Sequence, residues 1–518
     1  MAEEGGPPEF KDRVREFLKK LPSVQKAEGH VHFRRKVGWT LAMLFLYFVM
    51  TNIPVFGLSP NSVDLFHQFR AFFAGEQGSL TTLGISPIVT AGILLQLMVG
   101  AQIIKLDLTD KRDKAIFQGL QKLFVFILIP LETFPQIAGG FLQPDEVLAL
   151  RLGVGPGVLS LLIFLQICLG SVLILFMDEI VSKWGIGSGV SMFILAGVSL
   201  QIFNGLFNWW NTLQPFQVGP ATLQPPVGLV PRWLWMATDP NAAFVARTDP
   251  YFILGRNGAE LLALLATVAI FLIVVYFESV RLEIPLAHAS VRGARGRFPV
   301  KLLYVSNIPI ILIGTLQANI AVFGVLLASK APFLGTYDTV VNPASPAPLS
   351  GPLFYLSTIT GPEDWWPGLA GPYLDNLRLA NGLTPIADWQ ILLRLVVYTV
   401  VILGGSVLFA WFWVNTASMG PSDVAKQIEK SGMQIPGFRR TRDSIERVME
   451  RYIPKVTVLG GLIIGLLVLF GSMLGTIGQV SPTGLLLGVS ITYNLYQAVA
   501  REQVMEMHPL IRRAIGEG

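Results

Sequence analysis

Ten stretches of almost unbroken apolar character constrain this chain more than anything else in it: 37–56, 86–104, 116–138, 155–177, 188–207, 258–277, 302–327, 391–413, 455–474 and 483–500. A helix needs about 20 such residues to cross the hydrocarbon of a bilayer. Lipid offers no partner for backbone N–H and C=O groups, so a spanning segment must satisfy its own, which a helix does. A soluble chain of 518 residues would need a charged surface, yet only 14% of the residues are charged while 52% are apolar. The expected class is an all-α membrane protein with ten transmembrane helices.

Lysine and arginine resist translocation, so their distribution orients the helices. With both ends placed inside, the cytosolic segments 1–36, 105–114, 178–187, 278–301, 414–455 and 501–518 hold 30 of them, against 7 in the outer segments. The chain then divides into a cytosolic amphipathic segment 1–36, a first half 37–207, an outer loop 208–257, a second half 258–500 with cytosolic loops 278–301 and 414–455, and a tail 501–518. The N-terminal residues Phe10, Val14, Phe17, Leu18 and Leu21 suit a surface helix, and the first apolar run is not followed by a small-residue cleavage site. The outer loops 208–257 and 328–390 carry Trp209, Trp210, Trp233, Trp235, Trp365 and Trp366, and are expected to lie on the outer surface as lids. The basic cytosolic loops have three readings on charge alone: topology signals that attract anionic lipid, an RNA-binding face, or a docking face for an acidic protein. Ten spans split into five and five, and an odd number per half forces opposite orientations, as in inverted repeats. Pro87 and Pro309, each near an end of the second span of its half, hint at the same relation and at segments that move.

The spans are nearly free of the midplane charges through which transporters and pumps bind ions. Their polar groups are neutral: Thr90, Gln96, Gln121, Gln317 and Asn319. These suit interhelical hydrogen bonds or a seam that must come apart. Cys168 is the single cysteine, so no intrachain disulfide can form, and no motif suggests a metal, a cofactor or a catalytic group. A solute transporter or an intramembrane enzyme is therefore disfavoured. The run Gly185–Gly189 reads as a flexible start to the fifth span, and Gly461 with Gly465 as a close helix contact. One segment stands apart. Residues 62–74 have helical rhythm in Val63, Leu65, Phe66, Phe69, Phe72 and Phe73, but are too short to cross a bilayer.

Several long blocks make the chain similar to a known family: TLGISPIVTAGILLQLMVG (82–100), KWGIGSGVSMFI (183–194), ESVRLEIPLAH (278–288), FPVKLLYVSNIPIIL (298–312), SDVAKQIEKSGMQIPGFR (422–439) and YIPKVTVLGG (452–461). In this order, among ten spans, they resemble SecY, the large subunit of the Sec protein-conducting channel, in its archaeal and eukaryotic branch. Only the outer loops depart, being longer than the family pattern.

The resemblance implies two inverted five-helix halves around a central hourglass pore, in a cell membrane with both termini cytoplasmic. It implies that unfolded secretory polypeptides pass through the pore, and that transmembrane segments leave sideways into lipid through a lateral gate. By the same resemblance 62–74 is the plug that folds back into the outer funnel; an interfacial helix on the outer leaflet is the alternative. The apolar pore ring maps to Ile85 and Val89, Val190 and Ile194, Ile311 and Leu487, and the gate's polar members to Thr90, Gln121 and Asn319. Candidate ribosome or partner contacts are Arg281, Arg292, Arg295, Lys426, Arg439 and Arg440. The family's companions are the small subunits SecE and Secβ, a ribosome with its signal-bearing nascent chain, and membrane lipid. Neither a cofactor nor specific DNA binding is implied.

Overall fold

The computed structural model describes residues 16–507, apart from 19, 27–28, 30, 61, 63–69, 105, 107–110, 211–215, 219–220, 242–259, 289–294, 304, 306–307, 329, 339, 341–345, 418, 431–432, 435–441 and 479. In chain order its helices are α1 Phe33–Thr51, α2 Arg70–Phe73, α3 Ser86–Gly100, α4 Lys111–Ala138, α5 Glu146–Leu152, α6 Pro156–Trp184, α7 Gly189–Phe207, α8 Leu229–Thr238, α9 Leu261–Ser279, α10 Ile308–Ala328, α11 Gly351–Leu356, α12 Pro367–Ala380, α13 Asp388–Thr416, α14 Pro421–Lys430, α15 Arg442–Leu474 and α16 Pro482–Met507. The ten apolar runs correspond to α1, α3, α4, α6, α7, α9, α10, α13, α15 and α16. Seven of these helices are long and apolar enough to cross a membrane on those grounds alone. The other three depart for visible reasons: α1 opens on Arg34, Arg35 and Lys36, α3 has only 15 residues, and α16 is interrupted by polar side chains.

Helix α6 displays the logic of its surroundings. Val158, Leu161, Leu165 and Leu169 are exposed along one face, while Leu159, Ile163, Ile167 and Ile174 are buried on the other. Both faces are apolar because one meets protein and the other is suited to hydrocarbon. Elsewhere α4 packs along α3 and α6, α1 along α6, α10 and α15 along α13, α9 along α16, and α16 along α7. Side chains from all ten of these helices meet in one continuous apolar core.

Glycines set the close approaches. A Cβ at Gly465 would lie 2.7 Å from Ser406 Oγ, and one at Gly461 would lie 3.1 Å from the Ala410 Cβ, so the expected contact seats α15 on α13. Pro87 and Pro309 do not loosen their helices. Each occupies the first turn, where the missing N–H has no intrahelical acceptor to lose.

Two further differences from expectation concern loops. The loop 278–301, expected on the cytosolic side, contains two paired strands: β3 Arg281–His288 pairs antiparallel with β4 Arg295–Lys301, and the short β5 Met433–Gln434 of the next basic loop adds to its other edge. In the outer loop 208–257, β1 Phe216–Val218 pairs with β2 Ala221–Leu223, and α8 is tied to the start of α9 by a buried Arg232–Glu260 ion pair of 2.9 Å. The outer loop 328–390 is more than a lid. Leu349, Phe354, Ala370, Leu374, Leu377 and Ile386 form a small core of their own over the end of α13. Of the expected apolar face of the N-terminal segment, Leu18 is buried, whereas Phe17 is exposed.

Candidate functional site: pore ring, plug and gate seam

All six ring positions belong to the apolar core that runs through the ten helices. Ile85, Ile194 and Leu487 are buried in the central core, and Val89, Val190 and Ile311 pack half-buried against it. Each pair four residues apart, Ile85 with Val89 and Val190 with Ile194, shares a helix face.

What holds α7 in register was only partly visible in the sequence. Its N-cap, Ser188, makes no side-chain cap. Instead the carboxylate of Asp178, from the preceding helix, accepts the N–H of Val190 at 2.8 Å. The turn between them is pinned rather than flexible. The Thr40 hydroxyl of α1 accepts the N–H of Ile186 at 3.0 Å, and Gly187 sits at φ +75°. A Cβ on Gly189 would lie 2.5 Å from the Asp178 Cα, so only glycine fits. Lys122, a cation within α4, ion-pairs with Glu179 of α6. Glu179 also accepts the N–H of Val24 at 2.8 Å, which ties the N-terminal segment to the same helix ends. A lone charge inside a span is the signal that could have found this network, because it requires a partner.

The plug falls partly outside the described residues: Val63, Leu65, Phe66 and Phe69 are not among them. Its end is described. Helix α2 packs against α7 and α16, and Phe73 and Ala74 are buried in the central core. Phe73 C=O accepts the N–H of the ring residue Ile85 at 2.8 Å. Gly84, at φ +55°, makes this approach possible, since a Cβ there would lie 2.1 Å from that oxygen. Phe72 belongs to α2 as well.

Of the gate residues, Thr90 on α3 and Gln121 on α4 are half-buried and Asn319 on α10 is exposed. A Cβ on Gly92 would lie 3.2 Å from Gln121 Nε2, so the amide sits at the α3–α4 contact. Glu132, farther along α4, is within hydrogen-bonding reach of Ser86 and Thr90. Gln317, two residues before Asn319 and so on another face of α10, is buried. The two halves of the chain touch on this side at both ends of a seam. At the end of α3 a Cβ on Gly100 would lie 2.0 Å from Thr416 Cγ2 of α13, and after α4 one on Gly139 would lie 2.6 Å from Leu326 Cδ2 of α10.

The candidate contact residues are less completely placed. Arg281 is exposed at the start of β3, and Lys426 is half-buried on α14. Arg295 opens β4. Arg292, Arg439 and Arg440 lie outside the described residues. Among the described residues, no three His, Cys, Asp or Glu side chains are grouped so as to hold a metal ion.

Comparison with known proteins agrees with this geometry. The SecY family model matches residues 79–496, and the model for the plug domain of Sec61p matches residues 45–78. A protein translocase subunit SecY from Archaeoglobus fulgidus is 51% identical, over 97% of this chain and 98% of that one. A solved structure described as a protein conducting channel superposes with a TM-score of 0.70 at 35% identity, over 96% of this chain and 98% of that one. Sec61 in the canine ribosome–channel complex from the endoplasmic reticulum gives a TM-score of 0.68 at 35% identity, with the same coverage. The chain belongs to the SecY family and is a pore-forming, multi-pass membrane subunit of a protein translocation channel with the SecY fold.

Proposed function

We propose that Ile85, Val89, Val190, Ile194, Ile311 and Leu487 form the constriction through which an unfolded polypeptide passes, and that residues 62–74 plug it from outside. The supporting observation is that these six side chains, drawn from four helices and both halves of the chain, all belong to one apolar core with the end of α2 docked on it. An apolar waist excludes water and ions when narrow, yet presents no polar group to retain a passing chain. The seam where α3 and α4 meet α13 and α10 is the lateral gate. Its neutral polar residues Thr90, Gln121 and Asn319 can separate at lower cost than charges would impose. An apolar signal enters lipid through it, favoured by about 0.8 kcal/mol for each buried methylene.

The channel performs no chemistry of its own and takes its direction from a partner. The basic hairpin and the loop carrying Lys426 are the docking face for a ribosome, consistent with the canine ribosome–channel likeness, and their arginines suit RNA phosphate. Small subunits of the SecE and Secβ kind brace the assembly in the cell membrane, with both termini cytoplasmic. A stalled, signal-bearing nascent chain tests this reading. Cross-linkers placed at Ile85 and Ile311 are expected to capture it, while one at lipid-facing Leu165 is not. No adduct at either ring position overturns the assignment.

A further inference from the structure

We propose that Tyr47 is the latch that keeps the plug seated, and so a determinant of which signals open the channel. This rests on the plug reading above. Tyr47 lies on α1 and is 2% exposed, with its ring stacked on Phe193 of α7 at 5.2 Å between centroids. Its hydroxyl donates to the C=O of Ala74 at 2.9 Å. Ala74 is the first residue past the plug helix α2, so the bond joins a membrane-spanning helix to the end of the plug.

Two features mark this joint as one built to part. Ala74 sits at φ +49°, a left-handed conformation that disfavours any residue with a Cβ and that glycine usually fills after a helix. A left-handed alanine holds backbone strain that a change of conformation at this joint would release. The chain that follows is anchored separately: Val55 N–H donates to Gly78 C=O at 2.7 Å, and Leu80 N–H to Ile53 C=O at 3.1 Å. That loop does not need the Tyr47 bond to hold its place, whereas the plug end is held by it together with the Ile85–Phe73 backbone bond and the Arg70–Glu76 ion pair. In the closed pore the hydroxyl is buried among apolar side chains, where its acceptor is the Ala74 carbonyl. When the pore opens and fills with water or polypeptide, the hydroxyl gains other partners, and the latch costs little to release.

The test is a pair of variants and their combination, each reconstituted in vesicles as the complete channel complex. Tyr47→Phe keeps the stack on Phe193 and removes only the O–H. Loss of one net hydrogen bond is expected to raise resting halide leak about fivefold. Export of a preprotein with a shortened apolar signal core should rise with it. A chain lacking residues 62–73 should leak strongly, and adding Tyr47→Phe to it should change nothing further, because the latch acts through the plug. Wild-type leak in Tyr47→Phe overturns the latch, as does an equal increase in both backgrounds, which would mark a packing role. If removing 62–73 leaves the leak unchanged, the plug reading falls and the latch falls with it.

Discussion

Asp178 illustrates how one side chain serves a distant task. It caps α7 from the end of α6, so the position of Val190 and Ile194 depends on a carboxylate outside their own helix. Side-chain caps of this kind contribute about 1 kcal/mol. Asp178→Ala should therefore lower thermal stability by about that amount and raise resting ion leak, since the first turn of α7 frays toward the pore. Asp178→Asn retains an acceptor and should restore most of both. A leak assay and a melting curve on the two variants decide it, and equal leak from both would separate the cap from the ring. Lys122 makes a similar point. A cation inside a span is tolerated because Glu179 of the neighbouring helix meets it, and its ammonium lies over the Phe176 ring, 5.2 Å from the centroid.

Among the elements, the outer loop 328–390 is the one that behaves least like a connector. Its core packs on α13 and α10, and polar side chains tie it down. Arg394 of α13 donates to Thr358 C=O at 2.9 Å, lies 3.6 Å from the Asp364 carboxylate, and stacks over Phe354 at 4.8 Å. Trp365 donates to Met473 C=O at 2.8 Å at the end of α15. Hydrogen bonds to a charged group contribute about 1.5–3 kcal/mol each. Arg394→Met should detach this cap, and limited proteolysis within 341–366 is expected to run at least about tenfold faster. Unchanged cleavage would mean that the cap's own core holds it in place. Burial of Tyr337 in the same cap pushes its phenol up to about 12, so it stays neutral at any physiological pH.

For the whole molecule, the decisive feature is how the two halves meet. They are held together on one side by α16 against α7 and α1, and touch on the other at the Gly100–Thr416 and Gly139–Leu326 contacts. On the gate reading proposed above, this seam, closed by small residues and flanked by neutral polar groups, is the side that parts. Asn319 is exposed on α10, and on the gate reading it faces lipid, in which an amide is poorly solvated. Asn319→Leu should therefore favour the closed seam and raise the signal hydrophobicity needed for export. A set of preproteins with graded apolar signals measures the threshold, and no shift in it would count against the gate.

The sequence by itself determined the class and the number of spans, and it carries the expectation of their direction. Those follow from local composition: a bilayer demands runs of apolar residues, and lysine and arginine resist crossing it. The Gly461–Gly465 contact was legible for the same reason, because small residues at helical spacing mark a close approach wherever the partner is. The plug and the proposed ring could be read only through family resemblance, since an isoleucine lining a pore and one packed in a core look alike in a single sequence. The hairpin 281–301 was hidden because its alternation of apolar and charged residues is short and lies in a loop read for its charge. The caps and latches were hidden for a deeper reason. Asp178 to Val190, Thr40 to Ile186 and Tyr47 to Ala74 join groups whose pairing depends on where helices come to lie, and only the tertiary structure decides which buried donor meets which acceptor.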